Sequence, residues 1–189
     1  ASNCSNGCAP FAPTGGTLNI NGGTYQGTNL NFLVINGGGT VNFGQTKSLT
    51  VSGIAIWNNS GTINFKQGTL KDVTNAITLQ GGTANVSGGS ITASGQAISV
   101  NGGETNITGG TLTGAHGILS SSGTVNITGG SIVGSSYEAI YNNGATVNIG
   151  TRDNVVNDVP ELHSSNSLSF NNVSGTWNWY DGVLYGPKS

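Results

Sequence analysis

Few side chains in this chain can do acid, base, nucleophilic or metal chemistry. Its acids are Asp72, Glu104, Glu138, Asp153, Asp158, Glu161 and Asp181, and its imidazoles are His116 and His163. Hydrolysis of a glycosidic bond needs two carboxylates about 5–9.5 Å apart. Lyase chemistry needs a base, commonly beside calcium held by clustered acids. Only Arg152, Asp153, Asp158, Glu161 and His163 crowd together in sequence. They read as a solvated loop with a local ion pair rather than a catalytic or calcium loop. His116, beside Gly117, reads as a lone corner residue at the surface. No GxSxG, Walker or HExxH pattern occurs. The expectation is a non-catalytic chain with no cofactor and no metal.

Cys4 and Cys8 are the two cysteines. No third Cys or nearby His completes a zinc set, so they read as a small disulfide stapling the N-terminal cap. Such a staple implies an oxidising compartment. Methionine is absent, which fits a mature chain after signal-peptide removal, so the expected location is extracellular. Only 6% of residues are charged and the net charge is −2, which leaves no basic stripe for nucleic acid. No apolar run approaches the ~18 residues of a membrane span. Neither nucleic acid nor membrane insertion is expected.

The strongest signal is a repeated phrase. TLNI at 17–20 recurs as TVNF, TINF, TANV, ETNI, TVNI, TVNI and TWNW. Its Asn is residue 19, 42, 64, 85, 106, 126, 148 and 178, at intervals of 23, 22, 21, 21, 20, 22 and 30. A repeat of this length marks a solenoid. Residues 81–101 resolve into three short alternating strands (TANV, SIT, AISV) separated by glycine-rich corners. The expected fold is all-β: a right-handed, three-sided parallel β-helix of about eight coils of 20–23 residues, capped at both ends. Glycine pairs such as Gly88-Gly89, Gly109-Gly110 and Gly129-Gly130 supply the corner conformations. The chain divides into one domain, with a cap over 1–14, regular coils over 15–150, an excursion over 151–166, and a final coil and cap over 167–189.

Alternation assigns the faces. Leu18/Ile20, Val41/Phe43, Ile63/Phe65, Ala84/Val86, Thr105/Ile107, Val125/Ile127 and Val147/Ile149 point inward on the first face. Ile56, Ile77, Ile98, Ile118 and Ile140 do so on the third. Trp177 and Trp179 turn inward and plug the last coil. Asn58 and Asn142 are inward or corner asparagines bonded to turn backbone.

GTVNITGGSI (123–132), AIYNNG (139–144) and TWNWYDGVLYG (176–186) resemble the repetitive β-helix regions of bacterial cell-surface proteins, especially of Gram-positive bacteria. Those regions are similar to the pectate-lyase-like superfold. The resemblance covers about residues 15–186. It implies an adhesive or carbohydrate-contacting role and leaves activity open, because fold does not dictate function.

The outward first-face residues form two columns, one of Thr and one of Asn. Thr62, Asn64, Thr83, Asn85, Asn106, Thr124, Asn126, Thr146 and Asn148 are the candidate contact residues, with Glu104 and Lys66 intruding. Ser90/Thr92 and Thr111/Thr113 make the second face nearly as rich in hydroxyls. Trp57 and Tyr141, with Tyr25, are candidate aromatic platforms. The leading expectation is a non-catalytic surface module contacting glycans or another extended surface. Ice binding through the Thr-x-Asn array is an alternative, and a subunit of an extracellular fibre a second one. End-to-end or side-by-side self-association is the remaining partner class.

Overall fold

The computed structural model describes residues 9–22, 32–44, 48–50, 53–151, 159–165 and 168–186. Cys4, Cys8, Tyr25, Arg152, Asp153 and Asp158 lie outside the described residues. The described chain is all-β. Its strands are β1 (Thr17–Ile20), β2 (Phe32–Phe43), β3 (Ser48–Thr50), β4 (Ile54–Phe65), β5 (Thr69–Val73), β6 (Asn75–Leu79), β7 (Thr83–Ala93), β8 (Gln96–Gly114), β9 (His116–Gly134), β10 (Ile140–Ile149), β11 (Glu161–Ser164), β12 (Phe170–Trp179) and β13 (Val183–Tyr185). Every pairing is parallel and joins residues one coil apart. The protein is a β-solenoid.

Each full coil contributes three paired segments. In the coil that begins at Thr83, Thr83 pairs with Glu104 and Ser90 with Thr111, and Ile98 pairs with Ile118. Among the described residues about six coils carry all three segments, and the coil at either end is described only in part. The expectation of about eight coils counts one for each copy of the repeated phrase, those two included. The repeated phrase forms one unbroken ladder through β1, β2, β4, β7, β8, β9, β10 and β12.

Alternation decides burial as expected. Val41, Ile63, Ala84, Thr105, Val125 and Val147 are fully buried, as are Ile56, Ile77, Ile98, Ile118 and Ile140. Leu70, Ile91, Leu112, Ile132 and Leu162 supply the second segment's column. At one corner Gly61, Gly82, Gly103 and Gly123 all have φ between 72 and 82°. A Cβ on Gly103 would meet the Gly82 carbonyl oxygen, so both the angle and the space call for glycine. In the pairs singled out from sequence, the second glycine (Gly89, Gly110, Gly130) carries the positive φ.

Asn58 and Asn142 are buried and bonded to turn backbone. Asn58 Nδ2 donates to Gly81 O at 2.7 Å and Asn142 Nδ2 to Ala145 O at 3.1 Å. Asn36 joins the same column, donating to Asn58 Oδ1 at 2.8 Å. Two expectations need correction. Glu161–Ser164, assigned to the excursion, is strand β11 and pairs with Ser131–Gly134 of β9, so the inserted residues end before it. Trp177 holds the inward register of Val147 but remains 44% exposed. No described coil stacks beyond it, so the indole covers the core without being covered itself.

Candidate functional site

The outward first-face columns behave differently from each other. Eight asparagines form a continuous amide ladder of seven hydrogen bonds. Asn42 donates to Asn19, Asn64 to Asn42, Asn85 to Asn64, Asn106 to Asn85, Asn126 to Asn106, Asn148 to Asn126 and Asn178 to Asn148, at 2.7–3.2 Å. Every bond runs the same way, from the Nδ2 of the later residue to the Oδ1 of the earlier one. Each interior amide thus spends one of its two N–H groups and one of its two acceptor sites within the ladder. Seven rung spacings of about 4.8 Å make the ladder roughly 34 Å long.

The threonines beside it are bonded differently. Thr62, Thr83, Thr124 and Thr146 are half-buried and stack in register. Their hydroxyls make no hydrogen bond to another described residue. Glu104 takes one place in this column. It is exposed, and its Oε1 accepts from Asn126 Nδ2 at 3.2 Å. The face therefore combines an amide rank whose members hydrogen-bond to one another with a hydroxyl rank that has no hydrogen-bond partner among the described residues. A hydroxyl both donates and accepts, so it suits a polar uncharged partner.

The two aromatic candidates are not brought together. Trp57 and Tyr141 occupy one outward column of the third segment, Trp57–Thr78–Ser99–Leu119–Tyr141. Four rungs separate them, about 19 Å. Trp57 is engaged locally, edge-on to Phe32 at 5.7 Å and donating from Nε1 to Asn59 at 2.8 Å.

His116 is not a lone surface residue. Its side chain is 17% exposed, and its Nδ1 lies 3.4 Å from Glu138 Oε2. The ring stacks on Tyr137 at 4.8 Å and tilts against Tyr141 at 5.5 Å. Glu138 Oε1 accepts from Asn171 Nδ2 at 3.2 Å. The corner at Ser135–Glu138 folds back on the preceding coil, with Ser135 N on Gly114 O and Tyr137 N on Ala115 O, and this carries Glu138 to the imidazole. The signal was in the sequence: positions 116 and 138 are one coil period apart.

Two members of the acidic stretch do meet. His163 Nε2 lies 3.2 Å from Glu161 Oε2, and its ring stacks on Tyr185 at 4.1 Å and 4°. The stack borders a groove of about 620 Å³ with Ser135, Ser164 and Gly186. Among the described residues no group of three or more His, Cys, Asp or Glu could hold a metal ion. No helix is long and apolar enough to cross a membrane.

Fold and face together define a class, the parallel β-solenoid with a nearly uncharged hydroxyl and amide face. Comparison with protein-family models, with curated proteins and with solved structures gives no match.

Proposed function

We propose that this protein is a non-catalytic surface module that holds an extended neutral glycan along its Thr column. The observation that carries this reading is the rank of hydroxyls without partners among the described residues, spaced by a hydrogen-bonded amide ladder. Each net hydrogen bond to a ligand contributes only about 0.5–1.5 kcal/mol, so a useful affinity needs several rungs at once. An extended polysaccharide supplies that repetition. The resemblance to Gram-positive surface repeats supports an extracellular, adhesive setting. The exposed Glu104 carboxylate interrupts the rank, and a hydrated flexible glycan tolerates such a charge better than an ice lattice does.

Co-sedimentation with insoluble cellulose and chitin, together with a glycan array, tests the proposal. Wild-type protein should bind a neutral glycan. Thr124→Tyr should abolish binding with nearly unchanged melting, because the side chain points outward. Thermal hysteresis or ice-crystal shaping without glycan binding would replace this reading with the ice-binding one. Binding that survives Thr124→Tyr but is lost in Trp57→Ala or Tyr141→Ala would move the site to the third segment.

A further inference from the structure

Among the described residues, the two ends of the solenoid differ. Eight large apolar side chains are exposed among the described residues, and seven of them lie between Leu168 and Tyr185. Inward residues of the last coil are among them, with Trp177 at 44% and Leu184 at 53% exposure. Phe170 stacks on Trp177 at 4.6 Å. Leu168, Phe170, Asn172, Trp177 and Leu184 line a hollow of about 410 Å³ in this end. At the other end, residues 11–13 add a rung over β2, with Phe11 and Pro13 bonded to Leu33, Ile35 and Gly37. Ile20 is buried there, and Phe11 and Leu18 pack against the core.

The strand edges match this asymmetry. β12 pairs with β10 on one side, and its other edge meets no described strand. An exposed apolar edge strand is a template for pairing with another chain. The amide ladder also ends here. Asn178 donates to Asn148, while its Oδ1 and second N–H meet no other described residue.

We propose that the C-terminal end is a two-fold interface with a second copy of this chain. A two-fold axis perpendicular to the solenoid sets β12 antiparallel to β12 of the other copy. With Asn178 opposite Asn178, each inward residue faces an inward residue, and Trp177 of one copy meets Trp179 of the other. Two primary amides on a two-fold axis form reciprocal N–H···O bonds, which uses the donor and acceptor left at the end of the ladder. The half-exposed apolar side chains offer roughly 500 Å² per copy, or about 1,000 Å² together, where specific interfaces begin. A two-fold contact between like ends closes at two copies. A head-to-tail contact would instead propagate into a filament.

Sedimentation equilibrium and light scattering across a dilution series test this. The wild-type chain should show twice the chain mass at high concentration and dissociate to monomer on dilution. Trp177→Lys and, separately, Leu184→Asp should be monomeric where wild type is dimeric, with near-native circular dichroism, since both positions are exposed. Thr92→Lys, at an exposed position in β7 near the middle of the solenoid, should leave the dimer intact. A wild-type monomer at all concentrations, filaments, or a dimer that survives both end variants would overturn the proposal. The assay contains no glycan, so its outcome is separate from that of the proposed function.

Discussion

Thr105 gives the account a quantitative test. It sits in the inward column between Ala84 and Val125, is fully buried, and its Oγ1 has no hydrogen-bond partner. An unsatisfied buried hydroxyl costs about 1–3 kcal/mol by protein mutational data. Thr105→Val keeps the branched shape, removes the unpaired oxygen and adds a methyl to a column that is otherwise apolar. The variant should be more stable by about 1–3 kcal/mol. At about 2–4 °C per kcal/mol for a domain of this size, the melting temperature should rise by roughly 2–12 °C. Thermal unfolding and urea titration at an unchanged m-value would measure it. Thr105→Val less stable than wild type would mean that the hydroxyl is bonded in the core, and the satisfaction argument would be wrong at this rung.

Three further outcomes follow from the register. Val125→Asp buries a charge with no partner, which costs several kcal/mol, and should abolish cooperative unfolding by circular dichroism. A variant that melts like wild type would reverse the assignment of faces. Asn85→Ala breaks two ladder bonds and Asn19→Ala one, so at about 0.5–1.5 kcal/mol per bond the interior substitution should cost about twice as much in urea titration. Equal costs would argue against a continuous ladder. Gly103→Ala places a Cβ against the Gly82 carbonyl at φ 72° and should destabilise by more than the ~1 kcal/mol of left-handed strain alone, measured the same way.

The repeat made the fold legible because a solenoid stacks like on like. Once Asn64, Asn85 and Asn106 are aligned, the pairing partners and the buried set follow from two-residue alternation, down to the inward Thr105. What alternation could not reveal lies at corners and ends. Glu138 reaches His116 only through the backbone path of the Ser135–Glu138 corner. Trp177 has an inward register, yet its exposure depends on what stacks beyond it. Glu161–Ser164 follows a long insertion, so its phase could not be counted from the preceding coil. The Thr column also needed coordinates, since spacing alone does not show that its hydroxyls find no partner among the described residues.

The central claim is that the hydroxyls of the Thr column are the contact surface. The most direct test replaces Thr62, Thr83, Thr124 and Thr146 together by Val, which preserves shape and β-preference while removing every hydroxyl from those rungs. Binding to the neutral polysaccharide that the wild-type protein retains would then be measured by co-sedimentation beside a melting curve. The account predicts a folded protein that no longer binds. A folded quadruple variant that binds as well as wild type would contradict it.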